Sequence, residues 1–319
     1  MNSDKQYRFY SSVNSQNIEW LWYPYIPYGK VTLLQGDPGE GKSTLMLNIT
    51  AIVTKGGKMP DGTMLEKPQT VIYQCAEDNA EDTIKPRLEQ AGANCDKVAF
   101  IVEQNKNVTL NDSRIEETII ATNARMLVFD PLQAFISADS DMHSAAKMRS
   151  VMRKLAATAQ KYNCAVVLVG HMTKSCGSKN LYRGLGSIDI AAQARSVLMI
   201  ERDVISPQIR YMFTVKSNLA PEGNTIAFVL NSSSGFKWLG TCKLKQKYID
   251  VEASETESKV DQAVRYLQLI LCSEDLPSRE ILNTMEELGI GERTVRSAKN
   301  ELNIKAYRKN KVWYWHLGR

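Results

Sequence analysis

The sequence predicts an α/β fold, a mainly parallel sheet covered by helices, followed by a small C-terminal domain of helices and one hairpin. Three observations carry this reading. Short runs rich in Val and Ile alternate with helical stretches from Val31 onward. A glycine-rich turn joins the first such run to the first helix. Beyond Gly240 the composition changes, and three short amphipathic stretches then lead into an alternating aromatic tail.

Each element can be justified in order. Residues 1–17 are polar and read as an N-terminal arm, with the large domain over 18–240. Val31–Gln35, Thr70–Cys75, Val98–Val102, Met126–Phe129, Ala165–Val169 and Ser196–Ile200 are short apolar runs rich in Val and Ile, the pattern of parallel strands buried on both faces. Lys42–Val53, Ala80–Ala91, Ser113–Thr122 and Ser144–Tyr162 supply the intervening helices. Arg210–Val215 and Thr225–Leu230 flank a turn-like Asn218–Asn224, so they read as an antiparallel extension at the sheet edge. Residues 241–258 read as a linker and 259–319 as the second domain, with helices over Lys259–Cys272, Ser278–Leu288 and Glu292–Leu302 and a hairpin over Lys305–Leu317.

Composition bounds the function. A hydrophobic fraction of 43% with 24% charged residues argues for a folded globular chain rather than a disordered one. Cys75, Cys95, Cys164, Cys176, Cys242 and Cys272 form no Cys-x-x-Cys pair and no zinc pattern with His143, His171 or His316, as expected of inert thiols in a reducing compartment. No run approaches the ~18 apolar residues of a membrane span, and the N-terminus has no apolar signal core, so a cytoplasmic protein without a membrane partner is expected.

The clearest chemistry lies in Gly36-Asp37-Pro38-Gly39-Glu40-Gly41-Lys42-Ser43, followed by Thr44. Glycines at this spacing let backbone N–H groups turn toward phosphate oxygens, and the helix N-terminus adds partial positive charge. Lys42 suits the β- and γ-phosphates of ATP, and the Ser43 hydroxyl suits Mg²⁺. A second element is expected on a neighbouring strand. Met126–Phe129 ends in Asp130, a carboxylate placed to share the Mg²⁺ site, although an Asp that merely ends a strand is the alternative.

Hydrolysis also needs a group that polarises the attacking water. Glu77, at the end of the strand from Thr70, is the candidate base, while Asp78 or Asn79 suits a helix cap before Ala80. His171, after Val169-Gly170, stands where it could sense the γ-phosphate. A lone histidine is also often structural.

Together GDPGEGKST, AEDN with DTIKPRLEQAGA, VFDPLQAF, GHMTK and RGLGSIDIAAQARSVLMIERD resemble the RecA-like P-loop ATPases of the plasmid RepA helicase group, relatives of replicative helicases, RadA and KaiC. The resemblance spans about residues 18–240. It implies a homo-oligomeric ring, usually of six subunits, with ATP held between neighbours. It also implies that Arg195 enters the next subunit's site, with Lys216 as the next candidate and Arg87 near the adenine. Loops over Asp139–His143 and Lys174–Arg183 would face a central channel, where Lys174, Lys179 and Arg183 suit the phosphates of single-stranded DNA. An ordinary solvated loop explains these cations almost as well.

The C-terminal domain lies outside that pattern. Its three helices and hairpin read as a winged helix-turn-helix, with Glu292–Leu302 as recognition helix. From Gly291 to the C-terminus eight Lys or Arg residues face two Glu, which collects the chain's net charge of +5 here. Arg293, Arg296, Lys299, Arg308, Lys309 and Lys311 are the expected contacts to duplex DNA; a winged helix that binds protein is the alternative.

The expected function is therefore a DNA-dependent ATPase, most concretely a ring-forming replicative-type DNA helicase of a plasmid, phage or mobile element, with replication proteins as further candidate partners. A regulatory or recruitment ATPase that binds DNA without unwinding it is one alternative. A RadA-like recombination ATPase is another, weakened by the lack of a zinc-finger cysteine set.

Overall fold

The computed structural model describes residues 7, 9–103, 106–136, 145–171, 188–203, 206–231, 235–242, 258–271 and 275–317. The chain enters through an exposed segment and a small hairpin, β1 (Trp20–Trp22) and β2 (Ile26–Pro27), whose Trp22 and Tyr25 are buried. Then come β3 (Val31–Gly36), α1 (Lys42–Lys55) and a two-stranded finger of β4 (Gly57–Lys58) and β5 (Met64–Leu65). β6 (Val71–Cys75), α2 (Lys85–Gln90), β7 (Val98–Ala99), α3 (Ser113–Thr122), β8 (Met126–Asp130), α4 (Ala145–Lys161) and β9 (Ala165–His171) continue the alternation. α5 (Ile188–Gln193) leads into β10 (Ser196–Arg202), β11 (Ile209–Ser217), β12 (Thr225–Asn231) and β13 (Gly235–Cys242).

These strands form one nine-stranded sheet in the order β13-β12-β11-β10-β3-β9-β8-β6-β7. From β10 to β7 all neighbours are parallel, and β11, β12 and β13 extend the β10 edge in antiparallel fashion. Side-chain alternation divides the core. Met126 and Val128 face α1 and the β1–β2 hairpin, whereas Leu127 and Phe129 face α3, α4 and α5. Both faces are covered, which is why these strands are mainly apolar, with Thr32, Gln35 and Gln74 buried among them.

Four expectations need correction. The run Val98–Val102 is a strand only over Val98–Ala99. Beyond it the Gln74 side chain replaces a strand partner, accepting from the Ile101 N–H at 2.8 Å and donating to its carbonyl at 3.2 Å. The helix expected over Ala80–Ala91 starts as a π-turn at Ala80–Ile84 and becomes α-helical only at Lys85. Pro86 supplies no N–H to the preceding turn, which opens there. The antiparallel extension has a third strand, β13, that runs through the expected start of the linker, because Thr241 and Cys242 keep pairing with Ile226 and Thr225. Finally, β8 is not the neighbour of β3, since β9 lies between them.

The C-terminal unit comprises α6 (Lys259–Leu271), β14 (Leu276–Pro277), α7 (Ser278–Glu287), α8 (Glu292–Glu301), β15 (Lys305–Lys309) and β16 (Val312–His316). β16 pairs with both β14 and β15. Its helices do not form an isolated core. Tyr266, Leu267, Ile281 and Met285 share one cluster with Met199, Tyr211, Phe213 and Val229 of the antiparallel extension. Asp203 fastens this junction: it accepts from the two terminal guanidinium nitrogens of Arg265, from the Tyr211 hydroxyl at 2.8 Å and from the Ser206 N–H at 2.8 Å. No described helix is long and apolar enough to cross a membrane.

Candidate nucleotide site

The strands that lead to Gly36, Glu77, Asp130 and His171 are parallel, so their carboxyl ends meet along one edge of the sheet. At β3 the chain turns through Gly36–Gly41 into α1. Gly36 is required by close approach: a Cβ there would meet the Ile200 carbonyl oxygen at 2.6 Å. Gly41 is required by conformation, with φ +86° at the N-cap of α1. Lys42 follows it, is 4% exposed, and donates to the carbonyls of Gly36 and Asp37 at 2.8 Å each. Burial lowers its pKa, opposed by the negative charges of Asp130, Glu40, Asp37 and Glu77 around it.

Asp130 ends β8 and is buried beside this lysine. The Tyr73 hydroxyl donates to its Oδ2 at 2.7 Å, and the Ser43 side chain hydrogen-bonds it as well. Burial raises its pKa, while those hydrogen bonds act the other way. A desolvated carboxylate in contact with the loop serine is suited to a hard cation that takes oxygen ligands and retains water. Tyr73 was not among the expected site residues. Its only sequence signal is parity: it shares a strand face with Val71, directed to the same side of the sheet as Val128.

Glu77 lies just past β6 and His171 ends β9; the Glu77 Oε1 is 3.9 Å from the His171 Nε2. The expected base and the expected sensor therefore meet at the rim of the same crevice, with Glu77 exposed. Gly36 pairs with His171 in the β3–β9 ladder, so the histidine stands next to the phosphate loop. The helix cap is Asn79, whose side chain accepts from the Glu81 N–H. Asp78 instead pairs with Arg87 at 2.8 Å. Arg87 also lines a cavity of about 370 Å³ beside α1, together with Thr44, Asn48, Gln90, Leu230 and Phe236.

A second layer of residues holds the loop itself. Glu40 is clamped by Arg202 at 3.2 Å and by the buried Arg210 at 3.2 Å, and Arg202 also donates to the Gly39 carbonyl at 3.2 Å. Burial and the neighbouring Arg202 lower the Arg210 pKa, with Glu40 opposing them. Nothing periodic in the sequence marks these two arginines, which belong to β10 and β11.

Arg195 lies elsewhere. It precedes β10, whose first residue Ser196 is level with Thr32 near the start of β3, so Arg195 stands at the amino end of the sheet, opposite the phosphate loop. Its side chain is exposed. Lys216 is on the same side, and its ammonium donates to the carbonyls of Ala191, Ala192 and Ala194 at 2.8–3.0 Å, which closes the end of α5. The segments Asp139–His143 and Lys174–Arg183, with Lys174, Lys179 and Arg183, lie outside the described residues.

In the C-terminal unit Arg293, Arg308, Lys309 and Lys311 are exposed. Arg296 is held by Glu292 one turn back, with Nε at 2.9 Å. The Lys299 ammonium sits over the Trp315 ring, 4.8 Å from its centroid. Two of the expected helix contacts therefore already have intramolecular partners.

Comparison with known proteins agrees with this architecture. Residues 5–177, just over half the chain, match the family model described as AAA domain. A DNA repair protein RadA of Listeria monocytogenes is 32% identical over 150 residues, which cover 46% of this chain and 28% of that protein. The RadA of Streptococcus pneumoniae is 30% identical over 149 residues, 46% of this chain and 31% of that protein. The matched stretch thus spans under a third of these relatives. A solved structure of a DnaB-like replicative helicase superimposes with a TM-score of 0.50 at 14% identity, over 64% of this chain and 56% of that one. At that identity the likeness speaks for the fold, which is RecA-like.

Proposed function

The chain belongs to the AAA domain family, and from that premise we propose that it is a RecA-like ATPase that works on DNA, most concretely a ring-forming helicase. The observation that carries the proposal is the convergence of Lys42, Ser43, Asp130, Glu77 and His171 on one edge of the sheet. Lys42 would bind the β- and γ-phosphates of ATP, held at the helix N-terminus by loop N–H groups. The base would lie in the cavity beside α1, with Arg87, Gln90 and Phe236 around it.

Ser43 and Asp130 would hold Mg²⁺, which when bound neutralises charge on the phosphate oxygens. Tyr73 keeps the Asp130 carboxylate aimed at that position. Glu77 would take a proton from the attacking water, and His171 would register the γ-phosphate beside it.

The ring reading draws support from Arg195. At the amino end of the sheet it is too far to serve its own phosphate loop, so any role at a nucleotide site requires a neighbouring copy. Lys216 is proposed for the same interface. Arg293, Arg308, Lys309 and Lys311 are the proposed duplex contacts of a winged helix-turn-helix, supported by three helices closed by a β-hairpin. Lys174, Lys179 and Arg183 remain candidates for a single strand.

One observation favours a second reading. The relatives matched at 30–32% identity are DNA repair proteins of the RadA type, which suits a recombination-associated ATPase. Strand separation on a forked duplex decides between motor and regulator. ATP-dependent unwinding that Lys42→Ala abolishes supports the helicase; hydrolysis with no unwinding supports a recombination or recruitment ATPase.

A further inference from the structure

The wing is more than a cationic hairpin. Its two-residue tip, Asn310-Lys311, has φ of +50° and +66°. That conformation favours glycine at the second position, yet a lysine occupies it, so a cation stands at the tip despite backbone cost. Between Ile304 and Trp315 the hairpin carries Lys305, Arg308, Lys309 and Lys311 and no acidic residue.

The two faces of the hairpin differ. On one, Tyr307 and Tyr314 stack at 5.7 Å, and Asp275 accepts from the Tyr307 hydroxyl and contacts His316, each at 2.8 Å. On that face the Tyr307 hydroxyl and the His316 ring already have a partner. On the other, Trp315 is buried under Lys299, but Trp313, further toward the tip, is 52% exposed opposite Arg308. Among the described residues from Ser258 onward, the only large hydrophobics left exposed are Tyr307, Val312 and Trp313, all on this hairpin. The other described large apolar side chains of the unit are buried or half-buried, so among them this exposure is local to the wing.

An exposed indole opposite a guanidinium, on a hairpin whose tip carries further cations, matches an unpaired base with its backbone phosphates. The stacked pairs inside a continuous duplex offer no such ring face. We propose that Trp313 stacks on an unpaired base, so that the C-terminal unit holds the junction between duplex and single-stranded DNA in preference to continuous duplex. Arg308, Lys309 and Lys311 hold the phosphates on either side. This rests on the DNA-binding reading of the same unit and adds the structure of the DNA it selects.

The test measures binding of the full chain to three labelled DNAs: a fork, a single strand, and a relaxed, covalently closed circular duplex without ends. Trp313→Ala should weaken fork and single-strand binding roughly tenfold, within the range of base–aromatic stacking, and leave the closed duplex within about twofold. Trp313→Phe should restore most of the loss. Equal weakening on all three DNAs, or no change on any, overturns the proposal. So does a loss of assembly in Trp313→Ala, which would make the indole a contact between copies. Arg308→Ala with Lys309→Ala separates the two levels. If that double variant loses affinity for every DNA while Trp313→Ala changes nothing, only the stacking proposal fails; if neither variant affects any DNA, the DNA reading of the wing fails with it.

Discussion

Asp203 and Arg265 form a two-pronged pair at 3.0 and 3.3 Å, one residue beyond the Arg202 that reaches the phosphate loop. Asp203 belongs to the turn after β10, and Arg265 to the first helix of the C-terminal unit. The end of a single strand is therefore fastened to the nucleotide loop on one side and to the C-terminal helices on the other. Burial together with the Asp203 charge raises the pKa of Tyr211, and of Tyr266 to about 12, so both hydroxyls stay protonated as donors.

Asp203→Ala removes the buried carboxylate that Arg265 and the Tyr211 hydroxyl share. Breaking a buried pair from one side costs about 3–5 kcal/mol. Urea denaturation of the variant should show a loss of that size, with earlier proteolysis of α6–α8. A loss under about 1 kcal/mol would class the pair with surface contacts.

Removal of residues 258–319 should not yield a well-behaved ATPase fragment. It strips the cover from Met199, Ile209, Tyr211, Phe213 and Val229, a contiguous apolar face. The fragment is expected to aggregate or bind hydrophobic dye. A monodisperse fragment melting at the full-length temperature would refute this.

Asp130→Asn should stabilise the nucleotide-free protein while abolishing magnesium-dependent turnover. Burial raises the Asp130 pKa, so the folded chain binds that proton more tightly than the unfolded chain. Stability then falls as pH rises from the ordinary carboxylate value through the raised folded one, and stays lower above it. The amide removes that loss and still accepts from Tyr73. Melting curves across acidic to neutral pH should show a flatter slope and, at neutral pH, a melting temperature higher by at least about 2 °C, or roughly 0.5–1 kcal/mol. An unchanged slope would count against a buried charged form.

Glu77→Gln should lower kcat by about 10²–10⁴ with little change in KM, as expected for loss of a general base. His171→Ala, which removes the group 3.9 Å away, should cost less. If the order is reversed, the two roles are exchanged.

Arg210→Met should act on the loop rather than on chemistry. It leaves Glu40 with only the half-exposed Arg202, so the loop is held from one side. KM for ATP should rise several-fold and the nucleotide-induced shift in melting temperature should shrink, while kcat changes less. A fall in kcat alone would contradict a positioning role.

By itself the sequence determined what local pattern can carry. Gly36–Ser43 between a strand and a helix, the short strands rich in Val and Ile, and Asp130, Glu77 and His171 at strand ends are local signals, because period and turn chemistry act over a few residues. The three helices and hairpin after Lys259 were legible for the same reason. Only the tertiary structure decided the strand order, with β9 between β3 and β8, and therefore which strand ends meet. It alone joined Tyr73 to Asp130, Glu40 to Arg210 and Asp203 to Arg265. It also extended the sheet to Cys242 and packed the C-terminal helices on the β11–β12 face. Those pairs are chosen by sheet order and by which face of a strand each residue occupies, and partners so distant along the chain leave no periodic trace in it.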